Sequence, residues 1–319
     1  MDLINNTPYP AMMFRTGLEN DRLAVSAIIR VTYDIKSGKA IPSLNQEWTL
    51  HNESWESEFG PMEHDNLYRL GGVDILVFGN AIAPRKTPVT KMEVKVNIKG
   101  KLDYKLFVIG NRIWEKNIFG MSISQPDRFI EMPLTLYNAY GGKAEWDGLQ
   151  IPYGNNPYGK GFYHSKEDSY NKPLPNIEHP LNMVQKWDHR PDPVGIVCCP
   201  MNELRMRKNV DFDENYDIKN VNPRFYNSAF PDMIVPEMLP GEKILIEGMT
   251  DNKMFTFEVP KHVLSVRITL GERIADRRLI PDQIGIVPAK QQAFITYRFP
   301  FNYSFLAFQK RNCEISESN

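Results

Sequence analysis

The middle of the chain, residues 132–232, most constrains how this sequence can fold, because it is long and dense in proline, glycine and aromatic residues. Its clusters are MPLTLYNAYGG (132–142), NPYGKG (156–161), LPNIE (174–178) and NPRFYNSAFPD (222–232). Glycine permits positive φ and proline fixes φ, so each cluster specifies a particular turn. Long irregular segments of compact domains are usually functional or disordered, and the many aromatic residues argue against disorder. The pattern predicts an ordered, irregular surface suited to recognition.

Composition and charge exclude several classes of function. The chain has 319 residues, enough for a sizeable core, and a net charge of −1, which predicts no binding to nucleic acid or anionic lipid. No apolar run reaches the roughly 18 residues that span a bilayer, and residues 1–6 lack the features of a secretory signal. Three cysteines, two of them adjacent, do not make a disulfide framework. We therefore expect a cytoplasmic protein without membrane insertion.

Strand patterns dominate residues 1–130. Residues 23–35 are β-branched and roughly alternating, and the pair Ser37-Gly38 follows as a turn. A strictly alternating arm begins the clearest hairpin, which predicts one buried and one wet face. Further strands are predicted at 73–81, at the hairpin arms 92–98 and 102–110, and in the last third at 243–248, 254–260, 262–270 and 293–299.

Helical periodicity is scarce in this sequence. The best candidate is a short helix over residues 180–187, and the acidic, loop-like stretch 47–65 has room for another. Residues 311–319 are polar and predict a frayed end.

These patterns together predict a mainly β fold. Two β-sandwich-like modules, residues 1–130 and 236–319, flank the loop-rich aromatic, proline and glycine region 131–235. We expect the three parts to form one compact unit.

Candidate catalytic and metal-binding residues are scattered. The six histidines occur singly, and His164, His179 and His189 share the irregular middle region without the paired spacing of a metal site. Cys198 or Cys199 with His189 is a conceivable nucleophile and base, but the apolar run before the cysteines indicates structural burial. We expect no cofactor, no metal and no catalytic residue.

Acids beside tryptophan keep an enzyme alternative open. Glu145-Trp146-Asp147 and Trp187-Asp188 place carboxylates next to the kind of ring that sugar sites often contain. The alternative function is therefore a carbohydrate-active hydrolase. An abundance of acids does not by itself identify a catalytic pair, so this remains the second hypothesis.

Several basic residues have simpler interpretations than phosphate binding. The run 205–208 is followed by the acidic run 211–214, which predicts a solvated face or a protein contact. Arg112, Arg190 and Arg224 are expected to brace loops through hydrogen bonds to carbonyls and acids.

An ordered set of short motifs extends from about residue 34 to residue 298. It comprises Asp74-Ile75-Leu76-Val77 with Gly79; Gly110-Asn111-Arg112 with Trp114; Met132-Pro133-Leu134 with Tyr137 and Ala139-Tyr140-Gly141-Gly142; Asn156-Pro157 with Gly159 and Gly161; Leu174-Pro175-Asn176 with Glu178 and Pro180; Arg190-Pro191; Arg224-Phe225 with Asn227, Ala229, Pro231 and Asp232; and Gly241-Glu242. Each motif is weak alone, but the ordered set resembles a bacterial family catalogued as a domain of unknown function and encoded beside type VI secretion genes. The chain departs from that family at Asn111, where Asp is usual, at Tyr140, where Phe is common, and at 201–208, which lacks a tryptophan.

The resemblance implies a non-catalytic adaptor or chaperone. Such a protein binds a secreted toxin effector and loads it onto the spike or the spike-tip protein; a structural component of the secreted tip is a further alternative. Aromatic residues dominate protein interfaces, and the candidate contact residues are Tyr137, Tyr140, Trp146, Tyr158, Phe162, Tyr163, Trp187, Phe225, Tyr226 and Phe230. Among these, packing within the chain's own loops is the favoured role of Tyr140, Trp187 and Phe225.

Overall fold

Strands make up most of the regular structure. The computed structural model describes residues 1–18, 21–118, 120–200, 202–251, 254–306 and 309–318. Half of the structure is strand and 9% is helix, which confirms the predicted mainly β class.

The strands are numbered in chain order. They are β1 Asp2–Asn5, β2 Ala11–Gly17, β3 Arg22–Lys36, β4 Lys39–Pro42, β5 Trp55–Ser57, β6 Gly60–Met62, β7 Val73–Val77, β8 Asn80–Ile82, β9 Lys91–Ile98, β10 Leu102–Ile109, β11 Trp114–Asn117, β12 Gly120–Ile123, β13 Glu131–Pro133, β14 Tyr140–Gly141, β15 Lys143–Trp146, β16 Leu149–Pro152, β17 Lys160–Gly161, β18 Ile177–Glu178, β19 Val210–Phe212, β20 Ile218–Val221, β21 Ile234–Val235, β22 Lys243–Glu247, β23 Met254–Glu258, β24 Val263–Leu270, β25 Arg273–Arg278, β26 Ile280–Val287, β27 Gln292–Ser304 and β28 Arg311–Ser318. Two short α-helices, α1 Lys166–Ser169 and α2 Glu203–Asn209, lie in the middle region, and single 3-10 turns cover Pro84–Lys86, Leu136–Asn138, Pro223–Tyr226, Pro231–Met233 and Pro288–Lys290.

One large sheet contains strands from both ends of the chain. Its order is β18-β10-β9-β22-β23-β4-β3-β27-β26-β7-β21, and β2 also pairs with β3. The long strand β3 pairs with β27 from Arg22 opposite Ser304 to Asp34 opposite Gln292, and β9 pairs with β22. Because strands of the two expected modules alternate within one sheet, the two-module arrangement is not confirmed.

A second, four-stranded sheet packs over part of the first, in the order β1-β28-β24-β25. Cys313 and Ile315 of β28 and Val266 of β24 are buried in the main core. The expectation of a frayed end was therefore wrong for the described part of residues 311–319: alternate side chains of β28 are apolar and buried, and the strand pairs with both β1 and β24. Asn319 lies outside the described residues.

Most strands predicted from alternation are present, including β3, β22, β24 and the β9–β10 hairpin. Both residues of the predicted turn between β3 and β4 have positive φ, 51° for Ser37 and 79° for Gly38, as a two-residue hairpin turn requires. Many strands were not predicted, among them β1, β2 and β4, the short strands of the middle region, and β25, β26 and β28.

Both helix expectations were wrong. Residues 180–187 form turns, because Leu181 is exposed while Val184 is buried, so no continuous apolar stripe faces the core. The stretch 47–65 contains the small β5–β6 hairpin instead of a helix. It is anchored by Trp48, which is buried with its ring centroid 4.7 Å from that of Phe294.

Candidate functional site

Arg190 gathers several of the candidate aromatic residues into one cluster. Its Nη1 donates to the carbonyl of Trp187 at 2.7 Å and to the hydroxyl of Tyr140 at 3.3 Å, and its Nη2 donates to the carbonyl of Tyr163 at 2.8 Å. The guanidinium also lies over the ring of Phe162, 5.0 Å from its centroid. These contacts confirm that Arg190 braces loops.

The cluster is a second small core beneath the irregular surface. Tyr140 and Tyr163 are buried there with Trp114, and Phe162 and Trp187 pack against it. Burial raises the pKa of Tyr140 to about 12, and the Tyr163 hydroxyl donates to the carbonyl of Pro173 at 2.5 Å. Tyr140 and Tyr163 are therefore buried scaffold residues: the Tyr140 hydroxyl accepts from Arg190, and the Tyr163 hydroxyl donates to a loop carbonyl.

Of the two other arginines expected to brace loops, Arg112 does so and Arg224 does not. Arg112 donates through Nη2 to the carbonyl of Pro175 and to Glu178 Oε2, both at 2.7 Å, and this ion pair is buried. Arg224 differs from the expectation, because its side chain is exposed and only its backbone participates, accepting from the amide of Asn227 at 3.1 Å.

Arg205 takes the bracing role instead. The run 205–208 was expected to form a solvated face or a protein contact, but only 2% of Arg205 is exposed. Its Nη1 donates to Glu63 Oε1 at 3.0 Å and its Nη2 donates to the carbonyl of Phe225 at 2.6 Å. The N-cap Asn202 and the short helix α2 turn this residue inward while Arg207 and Lys208 remain exposed.

An exposed aromatic groove lies beside the braced cluster. The rings of Tyr137 and Tyr158 meet edge to face with centroids 6.0 Å apart, and 45% and 43% of these residues are exposed. The Tyr137 hydroxyl donates to Glu56 Oε1 at 3.0 Å, which links the pair to the β5–β6 hairpin. We name as the tyrosine groove Tyr137 and the approximately 540 Å³ depression lined by Ser54, Trp55, Glu56, Pro61, Met62, Glu63, His64, Tyr158 and Pro200.

The remaining candidate aromatic residues lie elsewhere. Trp146 is exposed on the β15–β16 hairpin and stacks on His164 with centroids 5.2 Å apart. Phe225 is half-buried and Tyr226 is exposed at their 3-10 turn. Phe230 is buried in the main core, so it is corrected from a contact residue to a core residue.

Buried thiols occupy the end of the apolar run, as predicted. Burial raises the pKa of Cys198 well above the ordinary value and raises that of Cys199 to about 11. A nucleophilic cysteine requires the opposite shift. Among the described residues, no group of three or more His, Cys, Asp or Glu side chains is arranged to hold a metal ion.

A buried polar network that the sequence did not reveal joins the middle region to the large sheet. Asp74 of β7 accepts hydrogen bonds from Asn227 Nδ2 at 2.8 Å and from the amide and hydroxyl of Ser228 at 2.8 and 2.9 Å. Burial raises the pKa of Asp74, and these donors act in the opposite direction. Gln283 continues the network from Ser228 to Arg30. In the sequence, the one sign of this network was Asp74 itself, an acid within the otherwise apolar run 73–78.

Two motifs of the ordered set meet in space at Asn156. Its Nδ2 donates to the carbonyls of Leu136 and Tyr140 at 3.0 and 3.1 Å. Its own carbonyl would lie 2.1 Å from a Cβ placed on Gly141. The buried motif residues Tyr140, Gly141 and Asn156 therefore belong to the scaffold and do not line the tyrosine groove, whereas Tyr137 of the same set does.

Comparison with known proteins gives one match. The family model described as "Uncharacterized protein conserved in bacteria (DUF2169)" matches residues 20–298. No curated protein and no solved structure matches the chain. Within the described residues, no helix has the length and apolar character needed to cross a membrane.

Proposed function

Because the chain belongs to this family of uncharacterized proteins conserved in bacteria, we propose that it is a non-catalytic adaptor of type VI secretion. In this proposal the protein acts in the cytoplasm, binds a secreted toxin effector and presents it to the spike or spike-tip protein. The ordered motifs shared with adaptor-like proteins support the assignment to type VI secretion.

The tyrosine groove is the observation that carries the binding role. Tyr137 and Tyr158 expose large rings at a concave surface whose wall includes Trp55. Tyrosine and tryptophan supply much of the binding energy of protein interfaces, because their rings bury a large area and lose little conformational entropy. A groove of this kind suits a protein segment with apolar side chains.

The loops beneath the tyrosine groove are held in place by buried polar contacts, which also favours a binding role. Buried Asn156 holds together the loops on which Tyr137 and Tyr158 lie, because its Nδ2 donates to the carbonyls of Leu136 and Tyr140 and its Oδ1 accepts from the amide of Tyr158 at 3.2 Å. A surface that is ordered before binding avoids the entropy cost of ordering loops in the complex. The buried polar groups of the middle region thus have a structural use that supports binding.

The hydrolase alternative receives less support from the geometry. Glu145, Asp147 and Asp188, the acids beside the two tryptophans, are all exposed to solvent. A glycosidase acid usually has its pKa raised by an apolar pocket next to a second carboxylate. The exposed positions favour a binding surface over that chemistry.

Direct binding tests the proposed function. The full chain and the effector-like protein encoded beside its gene should form a complex measurable by calorimetry. The Tyr137→Ala/Tyr158→Ala variant should weaken this complex about 100-fold, or about 2.7 kcal/mol, because two exposed rings are lost from the interface. The control Leu181→Ala removes an apolar side chain that is even more exposed, at 90%, but lies outside the groove, and it should change nothing.

Two outcomes would replace the proposal. No complex with the effector, together with turnover of a cell-wall glycan by the purified chain, would establish the hydrolase instead. Recovery of the protein from culture supernatant along with the spike would identify a structural component of the secreted tip, since a loading adaptor stays in the cells.

A further inference from the structure

A second apolar surface lies outside the tyrosine groove, on the hairpin formed by β19 and β20. Every residue from 211 to 220 is exposed. The exposed fractions of the three large apolar side chains are 43% for Phe212, 87% for Tyr216 and 64% for Ile218. Large apolar side chains grouped on an exposed hairpin are typical of a contact surface.

The hairpin presents these side chains in a defined arrangement. Phe212 and Ile218 are direct cross-strand partners, so their side chains lie next to each other on one face. Tyr216 is at the tip with φ of 63°. The Asp213 carboxylate fixes that turn by accepting from the amides of Asn215 at 2.8 Å and Asp217 at 3.0 Å.

The base of the hairpin is anchored in the described part of the protein. Val210 is buried there, and the amide of Asn222 donates to the carbonyl of Asn209 at the end of α2 at 2.8 Å. A two-stranded hairpin with no third layer gains little from its own apolar pair in water. A partner that covers Phe212, Tyr216 and Ile218 would supply the missing layer.

Charge selects the kind of partner. Carboxylates alternate with the apolar side chains, and one base opposes them: Asp211, Asp213, Glu214 and Asp217 against Lys219. Charge complementarity steers encounter and disfavours partners of like charge. The acids therefore favour a basic surface.

We propose that the β19–β20 hairpin is a docking arm that inserts Phe212, Tyr216 and Ile218 into an apolar recess rimmed by lysine and arginine on another protein. The proposal rests on the proposed function in one respect, since an adaptor needs a second partner-binding surface. The spike or spike-tip protein is then the partner of the hairpin, and the effector is the partner of the tyrosine groove.

Site-specific photo-crosslinking in the native bacterium tests the docking arm with the full chain. A photoreactive phenylalanine analogue replaces Tyr216 in one strain and Leu44, a fully exposed leucine outside both surfaces, in the control strain. We expect one dominant adduct from position 216 and none above background from position 44. Mass spectrometry should locate the adduct on a peptide with net positive charge.

Charge reversal distinguishes docking from accidental capture. Glu214→Lys/Asp217→Lys leaves the photoreactive side chain in place and should reduce the adduct about tenfold, because two attractive charges become repulsive. Glu115→Lys/Glu272→Lys makes the same charge change at exposed positions elsewhere and should leave the yield unchanged. Equal melting temperatures of the variants exclude unfolding as the cause.

The docking arm is overturned if position 216 forms no adduct, or if the crosslinked peptide has net negative charge. It is also overturned if the adduct yield does not respond to the charge reversal, or if the adduct forms with a second copy of this chain. The experiments distinguish failure of the docking arm from failure of the proposed adaptor function. Effector binding through the tyrosine groove without a hairpin adduct would reject the arm and keep the adaptor. A charge-sensitive adduct with a basic protein unrelated to secretion, without effector binding, would keep the arm and reject the adaptor.

Discussion

Single residues explain how a loop-rich segment becomes a fixed surface. Arg112, Arg190 and Arg205 each direct guanidinium donors at loop carbonyls that no strand partner satisfies. Charge-assisted hydrogen bonds are stronger than neutral ones, so one arginine can fix several turns. Glycine allows two backbone segments to approach closely where a Cβ would clash, as Gly141 does against Asn156.

Gly141→Ala should therefore be strongly destabilising. The residue has φ of 149°, and its new Cβ would lie 2.1 Å from the carbonyl oxygen of Asn156. We expect a loss of about 3 kcal/mol or more in the free energy of unfolding, measured by urea denaturation. Gly148→Ala is the matched control, with φ of 76° but no described heavy atom within 4 Å, and should cost about 1 kcal/mol. Equal losses would show that the close approach is unimportant.

At the scale of elements, the strand β28 shows how far context overrides local character. Its sequence RNCEISES is mostly polar, yet Cys313 and Ile315 alternate toward the core while their neighbours face outward. Pairing with β1 on one side and β24 on the other satisfies its backbone. Two alternating apolar residues are enough to hold β28 as a strand, because the paired strands β1 and β24 come from distant parts of the chain.

Substitutions on the two faces of β28 should have unequal effects. Ile315 is fully buried, so Ile315→Ala should lower the free energy of unfolding by about 2–4 kcal/mol. Glu314→Ala on the opposite face removes an exposed hydrogen bond from Asn6 and a solvent-exposed charge interaction with Arg267, and it should cost less than about 1 kcal/mol. Thermal unfolding followed by circular dichroism measures both, and similar melting temperatures would contradict the burial of β28.

At the scale of the whole molecule, the two ends of the chain are interleaved. The strand β1 runs parallel to β28, and β3 lies beside β27. Such non-local pairing carries a large loop-closure cost and slows folding. The large sheet combines β2, β3 and β4 from the first part of the chain with β22, β23, β26 and β27 from the last part, so neither part can complete it alone.

Alkaline pH should unfold the molecule through its buried tyrosines. Burial raises the pKa of Tyr140 from 10.0 to about 12, and burial raises those of Tyr33, Tyr104 and Tyr297 as well. The folded state keeps these protons where the unfolded chain releases them, so stability is full below pH about 10 and is lost as the pH rises toward 12.

The free energy of unfolding measured against pH, with phenolate absorbance as a second signal, tests this expectation. Tyr140→Phe should make the loss of stability between pH about 10 and 12 less steep. Tyr216→Phe, at an exposed position, should leave the slope unchanged. A stability that is constant across this range would contradict the burial of the phenols.

The fold was predictable where local patterns decide it. The β9–β10 hairpin, the long strand β3 and the turn at Ser37-Gly38 follow from alternation and from glycine. The candidate site was only partly predictable. Tyr137 and Tyr158 are exposed together as the partner hypothesis needs, whereas Tyr140, Tyr163 and Phe230 are buried.

The sequence by itself determined the mainly β class, the positions of the longer alternating strands and the turn at Ser37-Gly38, because these depend on dihedral preferences and on the two-residue alternation of strands. Only the tertiary structure decided that β9 pairs with β22 and that Arg205 is buried. The tertiary structure was also needed to distinguish the buried aromatic residues of the scaffold from the exposed ones. Pairing and burial depend on contacts between residues far apart in the chain, and no local pattern records those contacts.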